Sequence, residues 1–295
     1  MRMSSVWMML VLCGLLASAS SVAAQADEAS WPQLERRIVY GAEDPAKQFM
    51  HVYRLEPRET PRPAVLLFHG GGLVDGSPDE ILFMARSFTE RGYVTVLPGY
   101  RTFDTRTGDD PWPTQLEDAQ RAVRWVRAHA DEFNVDPERV CAVGHSSGGH
   151  LAAMLGVTEA DASADSDLGT TSSRVACSVT LAGDGDLLVP LLDETEVLNF
   201  EQLLGGSPGE RPELYQAASP AFNVDVATVP FLVIHGLNDE IVDVQSARNL
   251  VDALTAAGRE VTYAERPLTH GDLLSDDLTW GLIDSFLTDQ LSPES

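Results

Sequence analysis

The sequence predicts an α/β protein in which a mainly parallel sheet is covered by helices on both faces. Short apolar runs bounded by proline or glycine alternate along the chain with longer stretches of helical periodicity. Such runs are typical of strands buried on both faces, and strands that alternate with helices form parallel sheets with crossover connections. The 295 residues, 44% of them hydrophobic, suit one large domain with a sizeable core.

Seven segments carry the strand pattern and five carry the helical pattern. The predicted strands are residues 50–55, 64–68, 94–97, 140–143, 175–181, 231–234 and 260–264. The predicted helices are residues 78–91, 113–130, 147–157, 244–257 and 275–291. The second helix has the clearest pattern, because Leu116, Ala119, Val123 and Val126 recur three or four residues apart and form one apolar face.

Residues 1–24 have the form of a secretory signal peptide. Arg2 precedes an apolar run over residues 6–16, and small residues follow as far as Ala24. A membrane anchor is the alternative, but the run is short for a span that needs roughly 20 apolar residues. We therefore expect a secreted or periplasmic protein with no stable membrane association once the signal is removed.

The remainder divides into a lead-in, residues 25–49, and an α/β domain, residues 50–295. Residues 25–37 are predicted to be irregular. Residues 184–228 interrupt the strand–helix alternation and are rich in turn residues, including Pro190 and Gly205-Gly206-Ser207-Pro208. We interpret this segment as a small lid-like insertion that could wall a binding site.

Charge and cysteine content exclude several classes of function. The formal net charge of −25 argues against non-specific binding to nucleic acid or to an anionic membrane. Beyond the signal, Cys141 and Cys177 lie in two predicted strands that would be neighbours, either as a disulfide or as two buried thiols. Directly paired positions in a parallel sheet have awkward disulfide geometry, so free thiols are favoured. No residue spacing suggests a metal site.

A serine with the context of a catalytic nucleophile follows the predicted strand at residues 140–143. Ser146 lies in the pentapeptide Gly144-His145-Ser146-Ser147-Gly148, immediately before a predicted helix. A serine hydroxyl is a poor nucleophile until a base takes its proton, so the motif needs partners elsewhere in the chain. In a tight strand–turn–helix, the Ser147 N–H would point toward the reacting carbonyl as an oxyanion donor.

A glycine-rich loop, His69-Gly70-Gly71-Gly72, follows the strand at residues 64–68. Consecutive glycines let backbone N–H groups face a substrate oxygen, and Gly71 and Gly72 are the predicted donors that complete the hole with Ser147. His69 is expected to order this loop rather than to act as a base.

Asp239 and His270 follow the last two predicted strands and are the candidate acid and base. The acid would orient the histidine and stabilise its imidazolium form. His270 is the only histidine after the candidate acid. Rival acids are Glu240, Asp243, Asp184 and Asp186.

Three other histidines and three aromatic residues lie near these motifs in the sequence. His145 and His150 flank the serine and are expected to line the pocket, and His235 is expected to brace the acid loop. The aromatic residues Tyr100, Phe103 and Trp112 are expected to line an open substrate cleft, with packing in the core as an equal alternative for Trp112.

Together these motifs resemble the α/β-hydrolase superfamily, and within it the esterase/lipase group with an HGGG oxyanion loop, which includes carboxylesterases and acetyl or feruloyl esterases of plant polysaccharides. The resemblance covers roughly residues 50–290. It also rests on Pro98-Gly99-Tyr100-Arg101, Asp118 and the segment from His235 to Val242. The chain departs from hormone-sensitive-lipase-like members in its short N-terminal region and its Gly-His-Ser-Ser-Gly sequence. Both departures favour compact secreted esterases.

The resemblance implies a secreted serine esterase of the α/β-hydrolase fold that cleaves short-chain esters, including acetyl or feruloyl groups on polysaccharide, without a cofactor. Its partner would be a small-molecule or polysaccharide ester, and the sequence leaves the oligomeric state open. A serine amidase or peptidase of the same fold is the first alternative. A non-catalytic binding protein is the second, disfavoured because every part of the catalytic set is present.

Overall fold

A computed structural model of the chain describes residues 33–160 and 167–292. The predicted signal peptide lies outside the described residues. The strands are β1 (Gln33–Val39), β2 (Phe49–Arg54), β3 (Arg62–Phe68), β4 (Val94–Pro98), β5 (Val135–His145), β6 (Cys177–Leu181), β7 (Phe231–Gly236) and β8 (Val261–Arg266). Within the described ranges they form one eight-stranded sheet in the spatial order β1-β2-β4-β3-β5-β6-β7-β8.

The predicted fold class is confirmed, because β4, β3, β5, β6, β7 and β8 all pair in parallel. Only β1 and β2 enter the sheet antiparallel, at one edge. The expectation of an irregular segment over residues 25–37 is wrong for residues 33–37, which belong to β1. This edge strand has one neighbour and mostly exposed side chains, so it lacks the apolar run that marks a buried strand.

The helices cover both faces of the sheet. They are α1 (Leu82–Glu90), α2 (Thr114–Ala128), α3 (Ala130–Phe133), α4 (Ser147–Val157), α5 (Glu194–Leu203), α6 (Pro212–Ala217), α7 (Val244–Ala256) and α8 (Asp277–Leu291). Short 3₁₀ turns lie at Pro78–Ile81, Pro220–Phe222 and Asp272–Ser275. None of the helices in the described part of the chain is long and apolar enough to cross a membrane.

Alternation along the strands divides the core into two layers. Leu66 and Phe68 of β3 face the layer that contains buried residues of α2, α4 and α7. Val65 and Leu67 face the opposite layer, which contains buried residues of α1 and α8. Successive strand side chains point to opposite faces, so a continuous apolar run such as that of β3 fills both layers at once.

Cys141 and Cys177 form a disulfide, so the prediction of free thiols is wrong. The parallel register places the two residues directly opposite each other on β5 and β6. Their α-carbons are 4.8 Å apart, inside the range of roughly 4.4–6.8 Å that disulfides span. The bond therefore joins two central strands, β5 and β6. Ser146 follows directly after the end of β5.

The insertion, residues 184–228, is held against the body of the domain by hydrogen bonds close to its N-terminal end. The Gly185 N–H donates to Ser246 Oγ of α7 at 2.9 Å. The Leu192 N–H donates to the carbonyl of Ile241 at 2.8 Å, in the loop that follows β7. The helices α5 and α6, which the turn-rich sequence did not predict, lie within this insertion. Residues 184–193 thus lie against the carboxyl edge of the sheet.

The three aromatic residues that the sequence suggested for an open cleft all belong to the core. Tyr100 is 1% exposed, Phe103 is 5% exposed and Trp112 is 8% exposed. The edge of Trp112 packs against His150 with ring centres 5.4 Å apart. The interpretation of these residues as the walls of an open cleft is therefore wrong.

Candidate active site

Ser146 occupies the sharp turn between β5 and α4. Its backbone has φ 58° and ψ −131°, a conformation that costs a residue with a side chain roughly 1–3 kcal/mol. Two hydrogen bonds hold it there: the Ser146 N–H donates to the carbonyl of Leu181 at 2.9 Å, and the His150 N–H donates to the carbonyl of Ser146 at 3.0 Å. Strain maintained by its surroundings is common at functional sites.

The glycines that flank the serine are required by close backbone approach. A Cβ atom on Gly144 would overlap the carbonyl of Gly148, and one on Gly148 would overlap the carbonyl of Phe68. Any side chain at either position would push α4 away from the ends of β3 and β5. The two glycines thus let the turn close tightly enough to bring Ser146 to the carboxyl edge of the sheet.

The candidate acid and base are joined directly. His270 Nδ1 lies 2.8 Å from Asp239 Oδ2, and both residues are buried. Asp239 Oδ1 accepts hydrogen bonds at 2.9 Å from the N–H groups of Ile241 and Val242. Burial raises the pKa of the Asp239 carboxyl, but hydrogen bonds from His235 and His270 more than offset burial and hold that pKa well below its usual value. The ionised carboxylate accepts the Nδ1 proton of His270, which leaves Nε2 free to act as a base.

His235 braces the same carboxylate, as its position in the sequence predicts. Its Nε2 lies 3.2 Å from Asp239 Oδ2 and 3.0 Å from the carbonyl of Val242, and the side chain is fully buried. A carboxylate fixed by four donors cannot rotate away from His270, so the orientation of His270 is set by β7 and the loop after it.

His145, the residue before Ser146, holds His270 in position. His145 Nε2 lies 2.8 Å from the carbonyl of His270, and the two rings pack with centres 4.7 Å apart. Because a carbonyl can only accept, His145 carries its proton on Nε2. Burial, reinforced by the charge of His270, lowers the pKa of His145 to about 4 and keeps its ring neutral. The loop after β8 is thereby attached to the turn that holds Ser146.

The rival acids have other contacts. Asp243 caps α7 by accepting the Gln245 N–H at 2.8 Å. The Asp186 carboxylate accepts from Asn249 at 2.7 Å, and exposed Glu240 lies 3.4 Å from the backbone N–H of His270. Asp184 is buried near the site but has no hydrogen bond to His270 in the described residues. Among these carboxylates, Asp239 alone accepts the His270 Nδ1 proton.

The glycine loop passes beside the serine. A Cβ on Gly70 would lie 3.3 Å from Ser146 Cβ and 3.8 Å from Ser146 Oγ, which places Gly70 against the side chain of Ser146. Gly71 and Gly72 follow with φ of 116° and 61°, conformations that favour glycine. Ser147 is buried as the first residue of α4, where backbone N–H groups have no partner inside the helix.

His69 and Tyr100 hold the glycine loop in place. Their rings stack with centres 4.2 Å apart, and the Tyr100 hydroxyl donates to the carbonyl of His69 at 2.9 Å. Burial lowers the pKa of His69 to about 4, so this residue is a neutral packing element. The next residue, Arg101, forms a buried ion pair with Asp118 at 2.7 Å, which anchors the turn that presents Tyr100.

Sequence analysis does not identify one residue near the site, Glu196 in the first turn of α5. Its carboxylate lies against the α-carbon of Gly72, where a Cβ would overlap Glu196 Oε2. The helix dipole favours glutamate in the first turn of many helices, so the sequence does not distinguish Glu196 from the others. Its contact with Gly72 in the folded protein does.

A strained serine at the start of a helix, a histidine paired with a buried aspartate and a glycine loop beside them define an α/β-hydrolase of the esterase/lipase group. A family profile described as BD-FAE matches residues 50–254, more than half of the chain. The chain belongs to this family.

Individual proteins with similar sequences or structures carry esterase names. Esterase LipC of Mycobacterium tuberculosis is 33% identical over 248 residues, which cover 81% of this chain and 60% of LipC. The probable carboxylic ester hydrolase LipM of the same bacterium is 31% identical over 61% of this chain and 42% of its own length. The chain thus spans about half the length of these two relatives. Among solved structures, esterase Est2 of Thermogutta terrifontis with butyrate bound superposes with a TM-score of 0.71 at 27% identity, over 91% of this chain and 98% of Est2.

Proposed function

We propose that this protein is a serine esterase that hydrolyses short-chain carboxylic esters with Ser146 as nucleophile, His270 as base and Asp239 as orienting acid. The observation that carries the proposal is the 2.8 Å hydrogen bond between His270 Nδ1 and Asp239, held beside the strained Ser146 turn. The esterase names of LipC and LipM support the ester-hydrolase class.

In the proposed mechanism, His270 Nε2 takes the hydroxyl proton of Ser146 while Ser146 Oγ attacks the carbonyl carbon of the ester. The N–H groups of Gly71, Gly72 and Ser147 donate to the oxyanion of the tetrahedral intermediate. When the carbon–oxygen bond to the alcohol breaks, His270 gives its proton to the leaving alkoxide. A water molecule then loses a proton to His270 and attacks the acyl-enzyme. The bond between the acyl carbon and Ser146 Oγ breaks, His270 returns the proton to Oγ, and the carboxylic acid leaves.

The proposed substrates are short-chain carboxylic esters, and the proposed physiological substrate is a polysaccharide that carries acetyl or feruloyl groups. The Est2 structure with butyrate bound supports a short acyl group, since it aligns with 91% of this chain at 27% identity. We further propose that the protein is secreted or periplasmic. The disulfide between Cys141 and Cys177 supports that location, because disulfides persist in oxidising compartments.

Hydrolysis by purified protein without residues 1–24 tests the activity. The substrates are p-nitrophenyl acetate, butyrate and octanoate, acetylated xylan and an aryl amide, with Ser146→Ala as the control. We expect turnover of acetate and butyrate esters that falls by about 10⁶-fold in Ser146→Ala. Turnover of the amide alone would identify an amidase instead, and activity retained by Ser146→Ala would refute the assignment of the nucleophile.

Localisation needs a separate measurement. The full-length chain is expressed in a Gram-negative host, and the product is recovered from the cytoplasm, the periplasm and the medium. N-terminal sequencing should find a mature chain that begins close to residue 25, outside the cytoplasm. A full-length chain confined to the cytoplasm or held in the membrane would contradict secretion.

A further inference from the structure

The loop after β8, which carries the proposed base, runs alongside the loop after β7, which carries the proposed orienting acid. The Leu237 N–H donates to the carbonyl of Arg266 at 2.6 Å. The Asn238 N–H donates to the carbonyl of Leu268 at 3.1 Å, and a Cβ on Gly236 would overlap that carbonyl oxygen. The contact between β7 and β8 therefore continues beyond the ends of the two strands.

Glu240 extends this contact to the backbone of His270. The His270 N–H donates to Glu240 Oε2 at 3.4 Å. The turn that presents Glu240 is itself held, because Asp239 Oδ1 accepts the N–H groups of Ile241 and Val242. Hydrogen bonds to carboxylates are roughly twice as strong as those between neutral groups. The Glu240 carboxylate thus holds the peptide group that leads into His270.

The peptide group on the other side of His270 is held by His145, whose Nε2 donates to the His270 carbonyl at 2.8 Å. Side chains therefore satisfy both backbone polar groups of a buried residue that lies in a loop. His145 precedes Ser146 in the chain, and Glu240 follows Asp239. The two residues that hold the backbone of His270 are thus direct neighbours of the other two proposed catalytic residues.

We propose that Glu240 is a positioning residue, which holds the backbone of His270 opposite His145 and keeps Nε2 directed at Ser146. This inference rests on the proposed esterase function. A misplacement of about 1 Å can lower a rate by about 10²-fold, and loss of one long hydrogen bond should have a smaller effect. The competing role is a purely electrostatic one, in which the charge of Glu240 stabilises the imidazolium form of His270. Glu240 is exposed, and solvent screens the charge of an exposed group.

The kinetic test compares Glu240→Ala with Glu240→Gln, which keeps an acceptor oxygen at the same reach but has no charge. Asp272→Ala is the matched control: Asp272 is an exposed carboxylate two residues after His270, and no hydrogen bond joins the two in the described part of the chain. On p-nitrophenyl acetate, Glu240→Ala should lower kcat by about 3- to 10-fold and change KM by less than about 2-fold. Glu240→Gln should keep most of the wild-type kcat, and Asp272→Ala should match wild type.

Hydrogen exchange of the His270 amide, followed by NMR, tests the same contact without turnover. Glu240→Ala should exchange this amide about 3- to 10-fold faster than wild type, and Glu240→Gln should exchange it at close to the wild-type rate. This exchange pattern in a protein without Ser146-dependent ester hydrolysis would refute the esterase proposal alone and leave the contact between Glu240 and His270 in place.

Three results would overturn the positioning role. Equal decreases in kcat for Glu240→Ala and Glu240→Gln would assign the effect to charge. A higher KM at unchanged kcat would mean that Glu240 contacts the substrate. Wild-type kcat and wild-type amide exchange in both variants would show that the hydrogen bond holds nothing. If Glu240→Ala lowers the melting temperature, the volume-matched Glu240→Gln decides between hydrogen bond and charge by the same measurements.

Discussion

His145 Nε2 donates a hydrogen bond to the carbonyl of His270, so the residue before the proposed nucleophile holds the backbone of the proposed base. The ring of His145 also packs against the ring of His270. The two residues are 125 positions apart in the chain, and this contact joins the loop after β8 to the turn after β5. The position of His270 relative to Ser146 therefore depends on the side chain of His145, which takes no proton in the proposed mechanism.

His145→Ala should lower kcat by about 10-fold or more with little change in KM, because a small misplacement of a general base is costly in rate. His145→Asn, which can still donate an N–H, should recover part of the loss. The kinetics are measured on p-nitrophenyl acetate across pH, with His129→Ala as a control remote from the site. A KM increase without a kcat decrease would place His145 in substrate binding instead.

Asp239→Asn should reduce kcat by about 10⁴-fold. The amide oxygen would accept the Ile241 and Val242 N–H groups, so the NH₂ group would face His270 Nδ1 as a donor and favour the wrong tautomer. Asp243→Asn is the matched control, since asparagine caps a helix as well as aspartate does and α7 should keep its N-terminus. Steady-state kinetics on p-nitrophenyl acetate measure both. An equal decrease in kcat in Asp243→Asn and in Asp239→Asn would contradict the assignment of Asp239 as the orienting acid.

Removal of the disulfide should destabilise the folded domain. The bond closes a loop with a sequence separation of 36 residues between two central strands. The double variant Cys141→Ala/Cys177→Ala should lose about 2–4 kcal/mol of unfolding free energy, measured by urea denaturation. Wild-type protein treated with reductant during unfolding should lose a similar amount. Identical transitions with and without reductant would show that the thiols are free.

Asp184 should make stability fall as pH rises. Its pKa is raised by burial from 3.8 to about 7, so the folded state keeps a proton that the unfolded state has lost between those values. The folded state is then favoured at low pH, and the unfolding free energy decreases between about pH 4 and 7, by at most about 4 kcal/mol for this group.

Asp184→Asn should remove that decrease, because the amide has no charge to bury. Denaturation at pH 5 and pH 8 measures the difference, with Asp252→Asn, exposed on α7, as the control. The unfolding free energy could instead change by the same amount between pH 5 and pH 8 in wild type and in Asp184→Asn. That result would show that burial does not raise the pKa of Asp184.

Most of the fold was predictable because its signals are local. Apolar runs such as that of β3 are dictated by burial on both faces, and the glycines around Ser146 are required by a turn that spans five residues. The order of serine, acid and base along the chain, with each after a strand, likewise placed Ser146, Asp239 and His270 at one edge of a parallel sheet.

What the sequence left open depends on contacts between distant segments. The pairing of Cys141 with Cys177 follows from the register of β5 against β6, and β1 is a strand because β2 offers it a free edge. The choice of Asp239 over Asp184 depends on which carboxylate reaches His270, and the position of Glu196 on Gly72 depends on how the insertion packs. The local sequence pattern indicates which segments are buried and where turns occur. The register between strands and the contacts of side chains are decided only when distant segments of the chain pack together.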